Sequence, residues 1–197
     1  WGEGRAKQPT AEDVPVFRPF MLAHPLEERT VSLDDYATEW KWDGIRIQLV
    51  RTAGETRLYS RTGDDISAAF PDVAAAFDKD GALDGELLVR GDAQGGTEGG
   101  AASFNALQQR LGRKKVSAKM LDTHPAFVRL YDILFDGTED LRELPWIERR
   151  KRLEAFVPQL PPDRFDLSAI VEAADFEALA DMREGARDAA LGALGAF

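Results

Sequence analysis

Along the chain the clearest pattern is the alternation of Ile45, Ile47 and Leu49 with Arg46 and Gln48. A period of two predicts a half-buried strand. Arg57-Leu-Tyr-Ser-Arg61 is its predicted partner, with Thr52-Ala-Gly-Glu-Thr56 as the hairpin loop between them. Phe70, Val73, Ala74 and Phe77 recur at helical spacing, which predicts a helix over residues 65–78. Residues 81–89 read as a strand carrying Asp84-Gly85-Glu86, and residues 127–135 as a buried strand turned by Asp136-Gly137. Helices are predicted over 104–111 with Ser103 as N-cap, over 117–121, over 145–156 with Ile147, Leu153 and Phe156 inward, and over 175–184. The apolar stretch 17–25 carries two prolines and reads as an irregular segment lying on the domain; residues 33–37 read as a short helical turn. Residues 91–100 are glycine-rich but lack the spacing and terminal Lys-Ser/Thr of a phosphate-binding loop, so they read as a connection. No internal repeat is visible.

Composition bounds the picture. The 197 residues suffice for one domain with a real core, and 44% hydrophobic with 30% charged residues describe a globular chain. No apolar run has the length of a membrane-spanning helix, and the polar N-terminus has no signal-peptide core. Residues 1–16, with Gly2, Gly4, Pro9 and Pro15, read as a linker from an upstream region. The absence of cysteine excludes a disulfide or Cys-based zinc site and fits a reducing cytoplasm. His24 and His124 read as structural. A net charge of −10 argues against a DNA-coating domain, although the stretch around Arg110, Arg113 and Lys114 is locally basic.

The candidate chemistry sits just before the first strand, in Glu39-Trp40-Lys41-Trp42-Asp43-Gly44. Asp-Gly between two hydrophobic runs is a turn signal, because glycine accepts positive φ without a clash. The turn mounts Lys41 at a strand end, a suitable place for a nucleophilic amine. An ordinary lysine titrates near 10.4, so only about one in 2,500 is neutral at pH 7, and desolvation or nearby cations must help it react. Read alone, Lys41 is better taken as a surface lysine in a hairpin, paired with Asp43.

Four stretches in order change that balance: Lys41-Trp-Asp-Gly44, Ser60-Arg61-Thr-Gly63, Asp84-Gly85-Glu86 and Leu130-Tyr131-Asp-Ile-Leu-Phe-Asp-Gly137. Together with Pro19-Phe-Met-Leu-Ala23, Phe104-Asn-Ala-Leu-Gln-Gln-Arg110 and Leu144-Pro-Trp-Ile-Glu-Arg-Arg150, they resemble the adenylation domain of bacterial-type ATP-dependent DNA ligases. The resemblance implies an α+β, ATP-grasp-like nucleotidyltransferase domain over residues 17–197, with antiparallel sheets, flanking helices and a nucleotide groove between the sheets. It implies that Lys41 attacks ATP to form lysyl-AMP, with Mg²⁺, and that AMP then passes to the 5′-phosphate of nicked double-stranded DNA. By the same resemblance Glu39 reads adenine, Arg46 and Arg61 contact nucleotide or nick phosphates, Glu86 accepts from the ribose and is a candidate metal ligand, and Tyr131 stacks on adenine. Without the resemblance, Tyr131 reads as core and Arg61 with Glu86 as a salt bridge. Arg110, Arg113 and Lys114 are expected on DNA. The family continues into a Glu-Gly-x-x-x-Lys motif, yet Gly192 and Phe197 stand where that Glu and Lys are expected. The domain is therefore expected to be truncated, without its later lysine motif and OB-fold, and to work with an upstream DNA-binding region and a downstream OB-fold. RNA ligase, a GTP-using capping enzyme and a non-catalytic nucleic-acid-binding module of the same fold remain the alternatives.

Overall fold

The alternation at residues 45–49 does form a strand, and it seeds the main sheet. The structure is a computed structural model that describes residues 15–21, 32–90, 107–111, 113, 115–188 and 194–196. Strand β1 is Thr38–Trp40, β2 is Ile45–Thr52, β3 is Glu55–Ser60, β4 is Gly81–Val89, β5 is Ala126–Asp136, β6 is Glu139–Asp140, β7 is Phe165–Leu167 and β8 is Leu194–Ala196. Helices whose bounds fall within the described residues are α1 (Pro71–Ala76), α2 (Ala118–Thr123), α3 (Trp146–Phe156) and α4 (Phe176–Asp188); residues 107–108 are also helical. A six-stranded sheet runs β3-β2-β4-β5-β6, with β7 joining β5 in parallel and all other neighbours antiparallel. A separate pair joins β1 to β8.

The two faces of the sheet have different jobs. Ile47, Leu49, Leu83, Leu87, Val128, Leu130 and Ile133 lie in the core with Val73 and Phe77 from the α1 region and Leu153 and Phe156 of α3. Because strand side chains alternate, Arg46, Gln48, Asp84 and Glu86 fall on the opposite face. That face is the candidate groove. The β5 strand does not alternate cleanly: the β4–β5 register shifts between Asp84 and Gly85, leaving Tyr131 as an extra residue between Leu130 and Asp132. Such a bulge re-aims a side chain next to a site.

Several elements differ from the sequence expectation. The β2–β3 loop is only Ala53-Gly54, both with positive φ (51° and 84°), as a tight two-residue hairpin demands. The helix expected over 65–78 shortens to Pro71–Ala76, preceded by a 3₁₀ turn at Ser67–Ala69. Proline lacks the N–H and tolerates only a helix start, so Pro71 sets that start. In α3, Leu153 and Phe156 are buried as expected, but Ile147 is 51% exposed while Arg149 and Arg150 are buried. Ser117 caps α2 through its side chain. The short turn expected over 33–37 is a 3₁₀ helix at Leu33–Asp35. Pro15 is buried and its carbonyl accepts Tyr59 Oη–H at 2.8 Å, so packing reaches into the stretch expected as linker. His24, Ser103, residues 104–106, Lys114 and Gly192 lie outside the described residues.

Candidate active site

Strand β1 ends at Trp40 and delivers Lys41, exposed, to the mouth of the groove; Asp43 and Gly44 bend the chain into β2. Gly44 does not take the positive φ expected of it; glycine is required there because a Cβ would clash with the Leu87 carbonyl oxygen. The Gly44 N–H donates to Glu86 Oε1 at 3.1 Å, so Glu86 holds the far side of the lysine turn. Burial pushes the Glu86 carboxyl up to about 7, against the Gly44 N–H and the charges of Lys41 and Arg46, which pull it down.

Arg46 stands directly across from Glu86 in the β2–β4 ladder. Its guanidinium lies 4.6 Å from the Phe20 ring centre and 5.7 Å from that of Tyr131, and it donates to the Met21 carbonyl at 2.9 Å. Among the described residues its buried Nε–H has no partner. Lys41, Arg46, Glu86 and Tyr131 thus share one face, Tyr131 by its alternation with Arg129 and Leu130 along β5. Arg61 is exposed just beyond β3, and Glu86 is engaged with Gly44 rather than with it.

Glu39 is 3% exposed and paired with Arg150 of α3, whose Nη1–H reaches Glu39 Oε1 at 3.0 Å. Burial raises the Glu39 carboxyl to about 7, with Arg150 pulling the other way. The sequence reading gave Arg150 no role; two adjacent arginines on an otherwise amphipathic helix were the available signal. Its neighbour Arg149 forks onto Asp132 at 2.8 and 3.0 Å.

Arg110 corrects the expected DNA patch. It is wholly buried, paired with Asp72 and bonded to the carbonyls of Ala69 and His124. A side chain with no surface cannot touch a DNA backbone. Arg113 is exposed and bonds the Gln109 carbonyl at 2.6 Å. Among the described residues no three acidic or histidine side chains gather into a metal cage.

Asp84 was not assigned a role from sequence, yet it is the most deeply buried acid of the groove face, at 1% exposure. It accepts from Gln48 Nε2 at 2.9 Å, and Gln48 in turn brackets the Arg18 backbone. Burial raises Asp84 from 3.8 to about 7; Asp132 adds to the rise, while Gln48, Arg46 and Arg149 oppose it. The folded chain therefore keeps a proton that the unfolded chain releases, and stability is lost as pH climbs from about 4 to about 7. Asp84→Asn cannot ionise and still accepts from Gln48, so thermal melts across this range should show a shallower decline than wild type. Identical slopes would mean that Asp84 is ionised throughout.

The family model described as ATP dependent DNA ligase domain matches residues 20–192. The probable DNA ligase of Anaeromyxobacter sp. (strain Fw109-5) is 36% identical over 146 residues, covering 70% of this chain and 27% of that protein. The DNA ligase of Methanothrix thermoacetophila is 30% identical over 175 residues, covering 84% of this chain and 31% of that protein. The chain thus spans about a quarter to a third of the length of these curated relatives. A mycobacterial DNA ligase D complexed with ATP and MES shares the fold at a TM-score of 0.58 and 26% identity, over 81% of this chain and 46% of that one. The Chlorella virus DNA ligase-adenylate gives 0.62 at 17% identity, over 92% of this chain and 59% of that one, a likeness of fold alone. With the lysine turn, the groove and the matched span in agreement, the chain belongs to the ATP-dependent DNA ligase domain family.

Proposed function

We propose that this domain carries out the adenylation chemistry of a DNA ligase that uses ATP. The observation that carries the reading is the convergence of Lys41, Arg46, Glu86 and Tyr131 on one face, around a turn that Glu86 itself holds. The Lys41 amine, once deprotonated, attacks the α-phosphorus of ATP. A P–N bond forms, the bond to the bridging oxygen breaks, and pyrophosphate leaves with the electron pair. Tyr131 offers its ring to adenine, Glu39 accepts from the exocyclic amine, and Glu86 accepts from a ribose hydroxyl. Arg46, whose Nε–H has no partner among the described residues, and exposed Arg61 are suited to phosphate oxygens. For adenine to stack, Tyr131 must share its ring with the Arg46 guanidinium or exchange it.

Glu86, with the Asp43 charge close enough to bear on it, supplies the kind of carboxylate that Mg²⁺ shares with substrate phosphates. The bound ion would neutralise phosphate charge during the attack. Arg113 and Lys114 are the remaining candidates for DNA contact. Nicked double-stranded DNA is the proposed acceptor of AMP. The part of the relatives' length outside the match leaves room for the upstream DNA-binding region and the OB-fold that such an acceptor calls for. No described helix is long and apolar enough to cross a membrane, and we place the enzyme in the cytoplasm.

Nucleotide choice tests the reading. Guanine presents a carbonyl where adenine presents an amine, so an ionised Glu39 would face an acceptor. The full protein, incubated with Mg²⁺ and α-labelled ATP or GTP or with labelled NAD, should take acid-labile, alkali-stable label from ATP at least about a hundredfold faster. Efficient labelling from GTP would instead make it a capping-type nucleotidyltransferase. Sealing of nicked RNA in preference to DNA would make it an RNA ligase.

A further inference from the structure

Ser168 directly follows β7 and is 1% exposed. Its N–H donates to the Leu130 carbonyl at 2.8 Å, which fixes it to β5. Its own carbonyl accepts from Arg150 Nη2 at 2.8 Å. Its hydroxyl accepts the indole N–H of Trp42 at 3.2 Å. Arg150 is the residue that pairs with Glu39. Trp42 is covered on its ring by the Arg129 guanidinium at 3.9 Å, and Arg129 is itself forked onto Asp166 at 2.9 and 2.6 Å. Glu39 and Trp42 lie on opposite sides of Lys41 in the chain. A single buried residue therefore ties down both flanks of the lysine turn.

We propose that Ser168 is a positioning residue for Lys41: its hydroxyl fixes Trp42 on one flank, and its carbonyl seats Arg150 against Glu39 on the other. Lys41 is exposed and ends in a flexible stem, so its attack depends on where the turn points its Cα–Cβ bond. A turn free to shift by about 1 Å would lose most productive geometries. The effect is on the rate of attack, since neither Ser168 nor the Trp42 indole N–H is offered to the nucleotide. The inference rests on the reading of Lys41 as the nucleophile.

The experiment uses the full protein with Mg²⁺ and α-labelled ATP in single turnover. Ser168→Ala removes the hydroxyl and keeps the carbonyl, and Trp42→Phe removes the N–H and keeps an aromatic ring for Arg129. Each should slow adenylation at saturating ATP about tenfold while the Kd for ATP stays within about twofold. The double variant should be no slower than the slower single one, because both remove the same bond. In tryptophan-labelled protein, Ser168→Ala should also speed hydrogen exchange at the Trp42 indole N–H, whose resonance Trp42→Phe identifies. Two single variants at wild-type rate, a double variant slowed by the product of the singles, or unchanged indole exchange would each overturn the proposal. The two variants are read independently, so a folding defect in one, detected by its melting temperature, leaves the other to decide. Lys41→Ala runs alongside: if it still takes up label, the nucleophile reading fails; if it does not and the Ser168 and Trp42 variants react normally, only the positioning role fails.

Discussion

Lys41→Ala takes up no label from α-labelled ATP, and its rate of covalent adenylation falls by at least about a thousandfold, some 4 kcal/mol of barrier. The expected loss is large because nothing replaces the amine. Arg46 is the other cation in direct reach of Glu86, and a guanidinium stays protonated and is a poor nucleophile. Lys41→Arg refines the result. It keeps a positive charge beside Glu86 and should preserve folding and some nucleotide affinity, yet remain unlabelled. The gap between ATP binding and covalent capture in that variant is the share of Lys41 that is chemistry rather than charge. Both variants leave the tether from Gly44 to Glu86 intact, so their melting temperatures should stay near wild type. Label appearing in Lys41→Ala at the wild-type rate would move the nucleophile elsewhere.

Arg110→Ala should be as damaging to the fold as Lys41→Ala is to the chemistry. Arg110 donates to the Ala69 carbonyl at 3.2 and 3.0 Å and to the His124 carbonyl at 3.0 Å, pairs with Asp72, and lies 4.7 Å from the Phe70 ring centre. Truncation strands two carbonyls and leaves Asp72 with Arg164 alone, at 3.4 Å. Breaking such a buried pair costs about 3–5 kcal/mol, a large part of the ~5–15 kcal/mol that holds a domain together. For a chain of this size the melting temperature should drop by roughly 10 °C or more. Arg113→Ala, on an exposed residue, should leave the melting temperature nearly unchanged. The same pair separates the two roles: if Arg110→Ala melts with wild type and instead weakens DNA binding, the guanidinium is not the internal tie described above.

What the sequence determined by itself is local. Alternation from Ile45 to Leu49 gave β2, and the short apolar stretches at 81–89 and 127–135 gave β4 and β5, because such patterns act over a few neighbours. The Lys41 turn was legible for the same reason: Asp43-Gly44 marks it, and the close Leu87 carbonyl explains the glycine. Arg46 and Glu86 were legible as residues but not as neighbours, since a register between β2 and β4 joins positions 40 apart. Tertiary structure decided the rest. Arg110 looked like part of a basic surface because sequence shows charge and not burial; packing against Phe70 and Asp72 turned it inward. Ile147 faced outward and Arg150 inward on α3 because Glu39, 111 residues away, and the Ser168 carbonyl, 18 residues away, supply partners for a buried guanidinium. Asp132 joined Asp84 on the groove face through a bulge that exists only in the pairing of β5 with β4. Ser168 drew no attention in the sequence, because a serine acquires a role from what folding places around it: here Trp42, Arg150 and the Leu130 carbonyl. Periodicity is set by nearest neighbours along the chain, while burial and partners are set by contacts distant in it, and the chemistry of this site depends on both.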